Sequence, residues 1–210
     1  MRENGCVGQA LKQELTRRRA LLITPFAFAG LVAISTRKGE DPEPEPAASS
    51  DKIPELTIVQ FNDAGQRLGP VRVRKVVHSA TEWRRLLTRE QYYVMRQAGT
   101  DTAFSGTYYQ MHRAGVYRCA GCGDALFSSE AKFDSGTGWP SFTEPSNRAN
   151  VVLDDDFSYG MRRTEVNCAV CGGHLGHVFN DGPGATGERF CINSVSLTLD
   201  AADTPDETDS

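Results

Sequence analysis

A chain of 210 residues accommodates one good domain with extensions, since domains usually run about 100–200 residues. Its net charge of −4 leaves no basic footprint, which excludes a nucleic-acid binder of the usual electrostatic kind. With 39% hydrophobic and 24% charged residues, the composition is that of a soluble globular chain.

Met1–Arg19 turns basic towards its end, and Ala20–Ser35 is apolar and uncharged. That stretch is short of the roughly 20 residues a membrane helix needs. A charged segment followed by a short apolar one predicts an export signal or N-terminal anchor over residues 1–37. The alternative is a coincidental apolar stretch in a cytoplasmic chain. Thr16–Leu22 resembles a twin-arginine signal: Arg17 and Arg18 form the pair, but Ala20 stands where an aromatic is usual. Ala33-Ile34-Ser35 is a weak small-x-small cleavage site. The expectation is an exported or membrane-anchored protein, periplasmic in a bacterium, whose N-terminus can touch a membrane.

Residues 38–55 are rich in Pro and acid and have little to bury, which predicts an extended, disordered linker. Leu56–Phe61 and Val71–Val77 alternate like strands, with turn chemistry at Asn62–Gly65 between them. Ser79 with Glu82 three residues on is a capping box, predicting a helix over Ala80–Leu87. A second helix is expected near Arg89–Ala98, ended by Gly99. From Thr107 the chain reads as short strands and glycine-rich loops. The expected strands are Gly115–Cys119, Lys132–Phe133, Val151–Leu153, Thr164–Asn167, His177–Phe179 and Arg189–Leu199. One domain is expected over 56–200, with its core at 76–199, and an acidic, disordered tail at 201–210.

Four of the six cysteines form two C-x-x-C-Gly knuckles, Cys119 with Cys122 and Cys168 with Cys171. Each turn points two sulfurs at one ion, so the pair predicts a closed, tetrahedral four-thiolate zinc site rather than two disulfides. A closed site holds no water, so this single zinc is structural. Its binding free energy, of order 10 kcal/mol in zinc-finger peptides, can staple a loop-rich domain.

Cys191 lies inside an alternating run, Arg189-Phe-Cys191-Ile-Asn193. On a strand, Arg189, Cys191 and Asn193 share one face. A cation and an amide beside a thiol suggest a prepared thiolate, the cation lowering its pKa and the amide orienting a reacting oxygen. A buried structural cysteine fits the same spacing. Trp139, in the loop SGTGWPSF, is either a pocket wall or a core residue. His174 and His177 stand three apart in a glycine-rich loop, with Asp181 four after the second. They serve either acid chemistry or packing.

These motifs carry a resemblance. CAGC, KFDSGTGWPSF, GMRRTEVNCAVCGGHLGHVFNDGP and TGERFCINSVSL, in this order and spacing, resemble the peptide methionine-(R)-sulfoxide reductases, the B-type family, over about Val76–Leu199. EWRRLLTREQYYVMRQAGT and AFSGTYY match that family's opening segment. The resemblance implies a mainly β fold of two antiparallel sheets with short N-terminal helices, and a zinc on the side away from the pocket. It implies reduction of methionine-(R)-sulfoxide, in peptides or proteins, for repair. Carried over by position, Cys191 is the nucleophile that becomes a sulfenic acid, and His177 is the acid. His174, Asp181 and Asn193 place a water or the oxygen, Arg189 stabilises the thiolate, Trp139 receives the S-methyl group and Phe179 closes the pocket.

The chain departs from the family at one point. Many members carry a resolving cysteine in the SGxGWPSF loop, where this chain has Thr137. Once zinc takes four cysteines, the domain has no spare thiol. The resemblance then implies direct reduction of the sulfenic acid by an external thiol, thioredoxin or an exported equivalent. Two rivals predict different behaviour: a non-catalytic zinc module that binds a protein partner, with Cys191 inert, and a Cys-His hydrolase, with Cys191 as acyl acceptor.

Overall fold

A computed structural model of the chain describes residues 53–202. The expected signal (1–37, with Arg17 and Arg18), residues 38–52 of the linker and 203–210 of the tail lie outside the described residues. No helix among the described residues is long and apolar enough to cross a membrane.

The chain opens with an antiparallel hairpin, β1 (Glu55–Phe61) and β2 (Arg67–Arg74). Its turn closes as Asn62 promises: the Asn62 carboxamide accepts from the Gln66 N–H at 2.8 Å, and Gly65 takes φ +76°, a left-handed angle that suits glycine. Helix α1 (Ala80–Leu86) starts on the predicted box, with Glu82 N–H donating to Ser79 Oγ and Ser79 N–H donating to the Glu82 carboxylate. Helix α2 (Arg89–Gln97) follows on a second box that the sequence reading passed over, Thr88 with Gln91. Its left-handed end falls on Ala98 (φ 51°), one residue before the glycine expected to end it.

β3 (Gly115–Cys119) and β4 (Ala125–Ser128) pair with β11 (Leu197–Ala201) in a three-stranded sheet ordered β11-β3-β4. The second sheet has six strands: β5 (Lys132–Phe133), β6 (Ser141–Phe142), β7 (Val151–Asp156), β8 (Arg163–Cys168), β9 (His174–Phe179) and β10 (Arg189–Ile192). Their order is β5-β6-β10-β9-β8-β7, every pairing antiparallel. The two expected sheets are present, and the β1–β2 hairpin forms a third of its own rather than extending either edge.

Between the two larger sheets lie Tyr117 and Phe127 from one and Phe142, Phe190 and Ile192 from the other, all fully buried. Phe127 stacks on Phe142 at 4.4 Å between ring centroids, and Tyr117 meets Phe142 edge-on at 5.1 Å. Burying each such ring contributes about 1.5–3 kcal/mol. With Phe190 and Ile192 committed to this core, the alternation of β10 turns Arg189 and Cys191 to the other face.

The expected single strand Arg189–Leu199 is instead two. The chain leaves the six-stranded sheet after Ile192, makes a 3₁₀ turn over Ser194–Ser196 and enters the three-stranded sheet as β11. Asn193 sits at the corner. It is almost fully buried, donating from its amide to Leu175 O and accepting the Asp101 N–H, each at 3.0 Å. The corner asparagine therefore braces the crossing between sheets.

Candidate functional site

The four knuckle sulfurs converge. Cys119 and Cys171 Sγ are 3.6 Å apart, Cys122 and Cys168 Sγ 3.5 Å, and all four lie within 4.8 Å of one another. Zinc–thiolate bonds of about 2.3 Å would set tetrahedral sulfurs about 3.8 Å apart, so the residues present fit one zinc ion. Both knuckles are built alike. Gly123 N–H donates to Cys119 O at 2.8 Å and Gly172 N–H to Cys168 O at 2.9 Å, and both glycines take left-handed angles, φ +78° and +64°. The first knuckle follows β3 and the second follows β8, so an ion held by all four sulfurs would join the two larger sheets.

Cys191 occupies the middle of a row running across the six-stranded sheet. Register pairs Phe133 with Ser141, Ser141 with Cys191, Cys191 with His177, and His177 with Glu165. Directly opposed residues carry their Cβ atoms to the same face about 5 Å apart, so the thiol lies between a hydroxyl and an imidazole. This close approach needs Gly176, where a Cβ would stand 2.1 Å from Cys191 O. A bulge in β9 does further work. Val166 pairs with Gly176 but Asn167 with His174, leaving Leu175 extra, which brings His174 round to His177 at 5.3 Å between ring centroids.

The Gly- and Pro-rich loop wraps the other side of the thiol. Thr137 Oγ1 is 4.0 Å from Cys191 Sγ, and a hydroxyl chain runs from Thr137 to Ser135 (2.8 Å) to Ser141 (2.7 Å). Pro140 O accepts the Ile192 N–H, fixing the loop against β10. Trp139 is half-buried, and its indole N–H reaches the Asp101 carboxylate at 2.7 Å. Burial holds the Asp101 carboxyl above its ordinary range against that bond and those from the 194–195 backbone.

Arg189, 8% exposed, forms a two-pronged ion pair with Asp181 at 2.8 and 3.0 Å, and its guanidinium lies 4.6 Å above the Phe179 ring. Asp181 is thus the partner of Arg189, which holds its carboxyl below the usual range. His177 Nε2 is 2.9 Å from Asp156 Oδ2, and Arg163 binds the same oxygen at 2.6 Å. Bonds from Ser158, then His177, keep Asp156 ionised well below the usual carboxylate range. An ionised Asp156 can only accept, so His177 Nε2–H donates to it. His174 is deeply buried with Nδ1 2.5 Å from Glu165 Oε1, and burial depresses its pKa below the ordinary imidazole value. His174, His177, Asp156, Arg163, Glu165 and Tyr93 line a basin of about 490 Å³; Cys191 is not in its lining but pairs in register with His177, which is. Asp101, Asp156 and Glu165, which orient the Trp and both His residues, were not singled out from the sequence.

One expectation reverses. Arg189 was expected to lower the Cys191 thiol pKa, but burial pushes the thiol up, and Arg189, Thr137 and Ser141 only oppose that rise. A raised acid stays protonated and uncharged near neutrality. Iodoacetamide should therefore alkylate resting Cys191 more slowly than a free thiol at pH 7, with the rate climbing as pH passes the ordinary value of 9.0. Arg189→Ala should slow alkylation further. A rate plateau reached below pH 8, followed by mass spectrometry, would contradict this.

Comparison with known proteins gives a consistent result. The SelR domain family profile matches residues 87–201. A peptide methionine sulfoxide reductase MsrB of Bradyrhizobium diazoefficiens is 59% identical over 126 residues, covering 60% of this chain and 91% of the relative. The MsrB of Methanosarcina barkeri is 56% identical over 126 residues, 60% of this chain and 89% of its own. The mouse mitochondrial methionine-R-sulfoxide reductase B3 is 51% identical over 129 residues, 61% of this chain and 51% of its own.

Proposed function

This chain belongs to the SelR domain family, the B-type methionine-(R)-sulfoxide reductases, and we propose that it reduces methionine-(R)-sulfoxide in peptides or proteins through Cys191. A non-catalytic zinc module is not favoured, because the relatives bear reductase names. The observation that carries the residue assignment is the row that sets the Cys191 thiol between His177 and the Thr137–Ser135–Ser141 hydroxyls.

The chemistry balances without an outside proton. As Cys191 sulfur attacks the sulfoxide, it gives up its own proton, the S–O bond to the thioether breaks, and the oxygen and that proton end on Cys191 as S–OH. Methionine leaves as the reduced thioether. A thiol protonated at rest is therefore a suitable starting state, and the residues need only move its proton from sulfur to oxygen. His177, directly opposite Cys191, is the group for that transfer. Asp156, itself held by Arg163, fixes the ring. Arg189, with Asp181 behind it, stabilises the sulfur as charge develops there. Asn193 acts by position, its amide committed to Leu175 O and the Asp101 N–H. His174 commits Nδ1 to Glu165 but keeps a buried Nε2 with no partner in the protein, the nitrogen for placing a water or the sulfoxide oxygen. Trp139, oriented by Asp101, and Phe179 supply apolar surface for the S-methyl group. The zinc site, sharing no lining residue with the histidine basin, supplies structure and takes no part in these steps.

The second half-reaction needs a thiol. Cys191 is the one cysteine outside the zinc cluster among the described residues, and Cys6 lies outside them; on this reading an external thiol attacks the sulfenic acid, releases water and leaves a mixed disulfide that a second thiol resolves. Thioredoxin or an exported equivalent suits that role. The twin-arginine-like start, with Arg17 and Arg18 before Ala20–Ser35, supports export after zinc has been loaded in the reducing cytoplasm.

The function is tested by offering both epimers of a dabsylated methionine sulfoxide with dithiothreitol. Turnover of the R epimer alone is expected; equal turnover of both, or of neither, would refute the assignment. The resolving step has its own test. Thr137→Cys places a second thiol where an oxygen now lies 4.0 Å from Cys191 Sγ. After one turnover without reductant, an intramolecular disulfide between the introduced thiol and Cys191 is expected by mass spectrometry. The native chain should show a lone sulfenic acid, trapped by dimedone.

A further inference from the structure

The β1–β2 hairpin lies wholly before the 87–201 family match, and nothing in the reaction uses it. Its hydrogen bonds to the domain land on Arg118, next to a zinc cysteine, and on Asn150, which is itself bonded to both knuckle regions. Arg118, the residue before Cys119, donates from Nη2 to Phe61 O at 3.2 Å and pairs with Asp63 at 2.9 Å. Asn150, fully buried, accepts the Val59 N–H at 3.0 Å and donates to Val59 O at 2.9 Å. The same amide donates to Asp124, two residues after Cys122, at 2.9 Å, and to Ala125 O at 3.0 Å. On the second knuckle, Val76 N–H, just past β2, donates to Val170 O inside the C-x-x-C turn, and Ala169 N–H donates to Asn150 O. Three of the four ligands are buried; Cys122 is the one partly open, and it faces a cleft of about 320 Å³ walled by Ile58, Val73 and Val76 of the hairpin segment.

We propose that the β1–β2 hairpin is a metal-retaining clamp: it ties the two zinc knuckles to each other and covers Cys122, with Asn150 as its central positioning residue. The inference rests on the four-thiolate zinc site. Zinc leaves such a site by separation of its knuckles or by attack of a competing ligand at an exposed sulfur. The hairpin and Val76 just after it hinder both, because together they bond to both knuckles and wall the cleft onto which the accessible thiolate opens.

The test measures zinc release from the full, zinc-loaded chain into excess 4-(2-pyridylazo)resorcinol. Val59→Pro removes the N–H given to Asn150 and should speed release about tenfold; Asp63→Ala, at an 83% exposed side chain, should speed it about threefold. Arg72→Ser, whose outward side chain pairs within the hairpin with Glu55, should leave the rate unchanged. The urea unfolding rate, followed by tryptophan fluorescence, separates a clamp from general stabilisation. Release should accelerate more than unfolding does. Parallel changes in the two rates, or release at the native rate in both tether variants, would overturn the proposal. If Val59→Pro does not fold, Asp63→Ala decides alone. A native chain that holds no zinc would remove the metal site itself, and the clamp with it, while leaving reductase activity to be judged by the epimer assay.

Discussion

Cys191→Ser is expected to yield a folded, zinc-loaded protein whose reduction of methionine-(R)-sulfoxide falls by about a thousandfold or more. The size of the loss follows from the chemistry. A serine hydroxyl is a far weaker nucleophile, and an O–O linkage offers no counterpart to the sulfenic acid. The fold should survive, because Cys191 is half-buried on the face turned away from the aromatic core, and its neighbours Phe190 and Ile192 hold β10 in place. Zinc content should remain one ion per chain, since the four-cysteine cluster does not include Cys191. Activity above a tenth of native in this variant would place the nucleophile elsewhere.

Removing a metal ligand should act on the opposite side of the protein's economy. Cys168→Ser is expected to abolish tight zinc binding and, with it, cooperative folding. Cys168 is 1% exposed at the end of β8, packed with three other thiols. Structural zinc contributes on the order of 10 kcal/mol in small domains, while whole domains are stable by only about 5–15 kcal/mol. Loss of one ligand therefore uses up most of the margin. Near-UV circular dichroism should lose its fine structure, zinc content by mass spectrometry should fall towards zero, and Cys191 should become rapidly alkylated as its burial is lost. A variant that stays metal-free, cooperative and fully active would deny the zinc its structural role.

Local chemistry carried much of this architecture into the sequence. The Ser79–Glu82 box, the Asn62–Gly65 turn and the two glycine-backed knuckles each depend on residues a few positions apart, and each formed where its pattern stood. The corner at Asn193–Ser196 was illegible for a physical reason. Cys191, Asn193, Val195 and Leu197 keep a two-residue alternation straight through a turn that moves the chain from one sheet to another. Alternation records which face is apolar, not which sheet the face belongs to. The site's supporting residues were hidden by distance: Asp101 reaches Trp139 across 38 residues and Asp156 reaches His177 across 21. At Cys191 both sequence readings act at once: Arg189 lowers the thiol pKa as its neighbouring charge suggests, and burial, the alternative reading, outweighs it.

The solitude of Cys191 within the described residues sets a limit on the enzyme under oxidative attack. On the proposed mechanism, with no neighbouring thiol among the described residues to seal it as a disulfide, the S–OH on Cys191 persists until a donor arrives. Peroxide competes for that interval, and a second oxygen would carry the sulfur to sulfinic acid, from which ordinary thiols give no return. On that mechanism the working life of each molecule is a race between donor supply and peroxide.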